Sequence, residues 1–324
     1  VEALTKEYQR SLPVRIIYDT NHPEIARTDN QHIYLNTGNS ISEGLPNRYL
    51  KNLSHEGMIA HECGHILYSD FRLLQIYHQY MEIGEFYPMS PEPETKEQQI
   101  HLKNWCKAYQ EKEDLTLKII MEIAHHIFNL IEDIYIESRL MDVYPGKVKT
   151  ALLINNQLII DKVPVIKEQL EAKVPSIFII ANMLLQYARS GTISSGTYEG
   201  EYLDAIHACM PIINQSVFED DCRERFHATN QMMMILYNYV EEYIENAKEQ
   251  QKTMSDEQIL NDLIKNLPTS NTNPMPAMDS APVEDMWSPS SEKGIATNRK
   301  HIPLTITDFI EEGSAGGVSY NHGY

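Results

Sequence analysis

His61-Glu62-Cys63-Gly64-His65 constrains the fold of this chain more than any other stretch. Two histidines four residues apart share a face only on a helix, where their Cβ atoms lie about 6 Å apart. The flanking Met58, Ile59, Ile66 and Leu67 are apolar, and no proline occurs between Pro46 and Tyr68. The helix is therefore expected to be buried. Chance matches to this pattern usually lie among charged residues; this one lies in an apolar run. At helical spacing both imidazoles can hold one Zn²⁺. Glu62, one position after His61, stands beside such an ion rather than on it, placed to take a proton from a water whose pKa the metal lowers to roughly 7. Gly64 removes a side chain where substrate or a second element must come close. Cys63 falls between the histidines on another helical face and reads as packing.

Two histidines do not hold a catalytic zinc; a third protein ligand is needed, with the fourth position left open. The segment Asn129 to Glu137 carries Glu132, Asp133 and Glu137 among apolar residues of helical period. Acids buried in such a helix cost several kcal/mol unless each has a cation or a hydrogen-bond donor. Glu132 and Asp133 are both candidate ligands. Asp70 is the third, should the helix break after Ser69 and the chain turn back. Alternatively, Glu132 and Asp133 only salt-bridge with Arg139 or a neighbouring helix. His125 and His126 each precede one of these acids by seven residues and share its face. Either could orient a ligand or donate to a developing oxyanion, and either could equally be a satisfied core histidine. Tyr68 and Tyr135 are lesser oxyanion candidates, and His22, His32 and His55 read as surface residues.

The pattern H-E-x-x-H-I-L-Y at His61–Tyr68, followed about seventy residues later by N-x-x-E-D-x-x-I-E at Asn129–Glu137, resembles bacterial and phage metallopeptidase-like proteins. These are associated with von Willebrand A domains and with the cobaltochelatase T subunit. More distantly it resembles gluzincins, in which a downstream helix supplies a glutamate as third ligand. The resemblance covers about Leu45 to Leu140. It implies His61 and His65 as ligands, Glu62 as general base and Glu132 as third ligand. Gluzincins commonly carry an acid four positions after the third ligand, whereas four after Glu132 stands Ile136; Asp133 has such a partner in Glu137. The resemblance also implies a MoxR-like AAA+ ATPase or a von Willebrand A-domain protein as partner. The D-x-S-x-S metal motif of the A domain itself is absent from this chain.

Elsewhere the sequence is less specific. Val14 to Tyr18 and His32 to Asn36 read as strands of a small sheet, with turn residues between them. Beyond Leu45 nearly everything reads as helix. Segments are expected at Phe71 to Glu85, Lys96 to Lys112, Asp114 to about Val143, 148–161, 175–189, 200–210, 214–250 and 255–266. Met232, Met233 and Met234 read as a core stripe rather than a cofactor ligand set. Pro268 to about Ser291 is expected to be a linker, His301 to Ile310 a last strand and Gly313 to Tyr324 a loose tail. The expected fold is mainly α (α+β): a small sheet at 1–44, a zincin-like helical domain at 45–266, and a linker and tail at 267–324.

The chain has 324 residues and a formal charge of −19, from 27 basic and 46 acidic residues. That balance argues against nucleic acid and against anionic membrane surfaces as partners. The four scattered cysteines form no C-x-x-C pair, and neither a leader nor a spanning run is visible, so a reducing cytoplasm is expected. A start at Val1 is that of a trimmed chain or of a piece of a longer one. The function expected is a zinc-dependent metallopeptidase acting on a peptide or protein substrate. The alternatives are a non-catalytic zincin-fold scaffold working with an AAA+ ATPase, its metal closed off by Asp70 or His322, and a latent enzyme whose 268–324 segment covers the cleft.

Overall fold

The computed structural model describes residues 13–21, 24–29, 32–195 and 198–268. They form two compact units. One holds the described residues up to Tyr68 together with Arg139–Leu158, and the other holds Ser69–Ser138 and the described residues from Ile159 onward. The expected linker, last strand and tail beyond Pro268 lie outside the described residues, as do His22, Pro23 and Asn30 in the first turn. The protein is mainly helical with a small N-terminal sheet.

In the first unit, β1 (Val14–Ile17), β2 (Ala26–Thr28) and β3 (Ile33–Asn36) form one sheet in the order β1-β3-β2. β3 is parallel to β1, with Val14 beside Ile33, and antiparallel to β2, with Arg27 beside Tyr34. The central position of β3 explains its sequence: Ile33, Tyr34, Leu35 and Asn36 are all buried. β2 was not expected. Its three residues lie between turn signals and are too few to show an alternation, yet all three are buried.

The chain leaves β3 through a polar staple. Asn36 accepts from the backbone N–H of Asp19 and of Gly38, and Asn39 donates to the carbonyl of Asn36 while accepting from the N–H of Ile41 and Ser42. These bonds satisfy backbone groups that would otherwise be buried unpaired, and they aim the chain into α1 (Arg48–Tyr68). α1 packs on β2 and β3. After α4 (Asp114–Val143), whose last residues from Arg139 belong to this unit, α5 (Lys147–Ile160) follows. A Cβ on Gly57 of α1 would lie 2.6 Å from Asn155 Nδ2 and 2.7 Å from the Ala151 carbonyl oxygen, so α1 and α5 approach at a distance only glycine permits.

The second unit contains α2 (Phe71–Glu82), α3 (Lys96–Glu111), α4 up to Ser138, α6 (Ile166–Glu171), α7 (Ser176–Ser190), α8 (Glu201–Ser216), α9 (Cys222–Ile235), α10 (Tyr237–Gln250) and α11 (Asp256–Asn266). The breaks follow local chemistry. Asp70 caps α2, Thr95 closes a capping box on α3 and Ser255 another on α11. α8 runs through Pro211, where the sequence predicted an end, because the continuation buries Ile206, Cys209 and Ile213 along one stripe. The expected helix over 214–250 is in fact three pieces. It breaks at the acidic turn before Asp221, which caps α9, and again at the buried Leu236.

Aromatic contacts hold this unit together. Phe226 of α9 stacks on Phe128 of α4 at 4.4 Å and on Tyr77 of α2 at 4.5 Å between ring centroids. Trp105 of α3 stacks on Tyr237 of α10 at 5.7 Å. Met232, Met233 and Met234 are buried core, as their composition predicted.

Candidate metal centre

α1 is buried on all sides: every residue from Leu53 to Ile66 is shielded from solvent. Its polar side chains therefore need partners, and Ser54, His55 and Glu56 find theirs within the first unit. Ser54 donates to Asn155 Oδ1 at 2.6 Å, and Asn155 Nδ2 returns a bond to the Ser54 carbonyl at 2.8 Å. Glu56 pairs with Lys147 at 2.7 Å; burial raises its carboxyl above the usual range, and the lysine partly offsets this. His55 is a correction to the surface reading: it is buried, with Nε2 2.9 Å from Ser42 Oγ, and desolvation pushes it down to about 4.

The motif residues form the apolar helix's second polar group. His61, Glu62 and His65 are each fully buried. The Nε2 atoms of His61 and His65 lie 3.2 Å apart, with the rings edge to face. Two nitrogens bound to one tetrahedral zinc at about 2.0–2.1 Å would stand about 3.4 Å from each other. The two imidazoles are thus already turned to the spacing a shared ion requires. Cys63, on another face, is also fully buried, and desolvation pushes its thiol up to about 12.

The acids of α4 separate into two sets. Glu132 is held by Arg225 of α9, whose Nε and Nη2 reach its two carboxylate oxygens at 2.7 and 3.2 Å. Asp133 and Glu137, one turn apart, share Arg189 of α7. Its Nη2 lies 2.6 Å from Asp133 Oδ2 and its Nη1 2.5 Å from Glu137 Oε1. All five side chains in these pairs are almost wholly excluded from solvent. The alternative expected from the sequence, ion pairs with Arg139 or a neighbouring helix, holds through neighbouring helices: Arg189 of α7 and Arg225 of α9. Arg189 could have been noticed as the lone cation of the apolar run Ser176–Ser190. Arg225 has no such signature in its polar helix.

A buried group of His61, His65 and Asp133 has one ligand atom from each residue within 4.8 Å of the other two, and it could hold a metal ion. Among the described residues no second group of this kind occurs. Of the three acids expected as candidates, the structure thus brings Asp133 to the histidines. Glu132 is engaged by Arg225. Asp70 is used as the cap of α2, accepting from the N–H of Arg72 and Leu73 at 3.1 and 2.9 Å.

The remaining candidates divide as follows. His125 Nδ1 lies 3.1 Å from Nε2 of His78, a buried imidazole pair. Desolvation, with His125 adding to it, pushes His78 down to about 3. Among the described residues none makes a hydrogen bond to His126 Nε2. Its pKa falls to about 4 through desolvation and the neighbouring His125, against the opposing charge of Asp133. The Tyr135 hydroxyl donates to Asp220 at 3.0 Å. No helix among the described residues is long and apolar enough to cross a membrane. Against protein-family models, curated proteins and solved structures, the chain finds no match.

Proposed function

We propose that the chain is a zinc-dependent metallopeptidase, with His61, His65 and Asp133 as the metal ligands and Glu62 as general base. The observation that carries this reading is the grouping of the three donor side chains, with a buried carboxylate at the position after the first histidine. Two imidazoles and one carboxylate suit zinc among the divalent metals, and three protein ligands leave room for substrate. When bound there, zinc would act as a Lewis acid toward a carbonyl oxygen and would acidify a water.

The chain's own residues supply the remaining steps. Glu62 accepts a proton from the attacking water as its oxygen bonds to the scissile carbonyl carbon. It then delivers that proton to the leaving amine as the C–N bond breaks. The low-dielectric surroundings of α1 strengthen these interactions. His126, on the face of α4 that carries Asp133, keeps its ring neutral and is the better placed of the two histidines to orient a ligand; His125 is paired with His78. Asp133 with Glu137 four positions later fits the gluzincin-like spacing that Glu132 lacks, which supports the resemblance in that detail. Partnership with an AAA+ ATPase or a von Willebrand A-domain protein, and a cytoplasmic location, are part of the same proposal.

The test is metal content by elemental analysis, paired with peptide hydrolysis, on wild type, His61→Ala, Glu62→Gln and Asp133→Asn. About one zinc per chain in wild type is expected. It should be kept in Glu62→Gln with hydrolysis lost, and strongly reduced in the other two. Zinc in wild type with no hydrolysis of any peptide would favour the scaffold reading. A folded wild type that takes up no metal would overturn the proposal.

A further inference from the structure

Asp133 is the third donor of the metal group, yet one of its oxygens is already engaged: Arg189 Nη2 holds Oδ2 at 2.6 Å. The same guanidinium holds Glu137 through Nη1 at 2.5 Å. We infer that Arg189 is the positioning residue of the metal centre, a buried fork that fixes the rotamer of Asp133 and so makes Asp133, rather than Glu132 or Glu137, the acidic ligand. This inference rests on the metal reading above and deepens it.

Three features support a positioning role over a merely structural one. First, the geometry is that of a fork: two nitrogens of one planar group on two carboxylates one helical turn apart, which a point charge such as lysine cannot reproduce. Second, the stoichiometry is unequal. One guanidinium serves two carboxylates, so a change at Arg189 reaches Asp133 and Glu137 together. Third, the competing acid has a separate partner. Arg225 occupies both oxygens of Glu132. Adjacent residues on a helix point about 100° apart, and the two arginines hold the adjacent acids in different directions.

The experiment uses Co²⁺ as a spectroscopic stand-in for zinc, titrated into the 324-residue chain stripped with a chelator. Wild type should give the intense visible bands of a four-coordinate site. Arg189→Lys keeps the charge and loses the fork. It should fold, while Co²⁺ affinity falls roughly 10- to 100-fold and the bands change intensity. Because Arg189→Gln alone would strand two buried carboxylates, it is paired with Glu137→Gln; this double variant should also fold and bind Co²⁺ weakly. A purely structural arginine would lower the unfolding midpoint and leave affinity and spectrum unchanged. Folded Arg189→Lys and double variants that match wild type in both readouts would therefore overturn the inference alone. A folded wild type with no Co²⁺ uptake would overturn the metal reading and this inference with it.

Discussion

Glu132 and Arg225 form a two-pronged ion pair at 2.7 and 3.2 Å, and the guanidinium lies 3.9 Å over the ring of Tyr135. Both side chains are nearly excluded from solvent. Removing one member of such a pair leaves a buried charge without compensation and costs about 3–5 kcal/mol. Glu132→Gln is therefore expected to lower stability by that order in urea unfolding while leaving zinc content at the wild-type level. Asp133→Asn should show the reverse balance, losing metal with the smaller loss of stability, because Arg189 retains Glu137. Loss of zinc from a well-folded Glu132→Gln would return the ligand role to Glu132.

Asp70 offers a similar contrast. Its carboxylate accepts from two backbone N–H groups at the start of α2, which satisfies donors that the helix leaves unpaired. Asp70→Ala is expected to cost about 1 kcal/mol, as for other caps, with no change in metal content. Asp70→Asn should recover most of that loss. Zinc depletion in Asp70→Ala, measured by elemental analysis, would show that the carboxylate does more than cap.

The sequence was most legible where one local rule decided the outcome. The helical spacing of His61 and His65, the apolar period of Asp114–Val143 and the stop at Tyr144-Pro145-Gly146 each follow from residues within a few turns. What could not be read depends on residues distant along the chain. β2 exists because Ala26–Thr28 pairs with β3, not because three residues have a strand pattern. The separate ion pairs of Glu132 and Asp133 depend on Arg225 and Arg189, which come from other helices. His55 read as a surface residue because its partner Ser42 lies in a loop thirteen residues earlier.

Gly57→Ala tests the seat of the motif helix. On an exposed helix this change would stabilise by about 1 kcal/mol through propensity. Here the new Cβ would lie 2.7 Å from the carbonyl oxygen of Ala151 and 2.9 Å from its carbonyl carbon, which are backbone atoms and cannot swing aside. Overpacking of this kind costs about 1–3 kcal/mol, so the clash should win and the urea midpoint should fall. Trimming Asn155 as well, in Gly57→Ala/Asn155→Ala, removes the side-chain contact but not the backbone one, and should not restore stability. A Gly57→Ala protein at least as stable as wild type would mean that α1 and α5 can separate without cost.

Acid should weaken the fold through its buried histidines. His55 and His126 are pushed down to about 4 and His78 to about 3, against about 6.5 for a histidine in an unfolded chain. Between these values the unfolded state binds more protons than the folded one, so stability falls as pH falls. The contribution is fully present above pH 6.5, declines through the window from about 6.5 to 4, and for His78 continues down to about 3. Glu56 and Glu122 have the opposite sign, since burial raises both and their protonation favours the folded state. They oppose, as pH falls, a loss that three histidines carry. Urea unfolding of chelator-stripped protein at pH 7.5, 6.5 and 5.5 should therefore show a declining midpoint. Because metal has been removed, ligand protonation on the bound form does not enter. His78→Gln deletes one of the three groups and relieves His125 of its neighbour, so its midpoint should depend less steeply on pH. A midpoint that is flat from 7.5 to 5.5 would mean that these imidazoles reach water without unfolding.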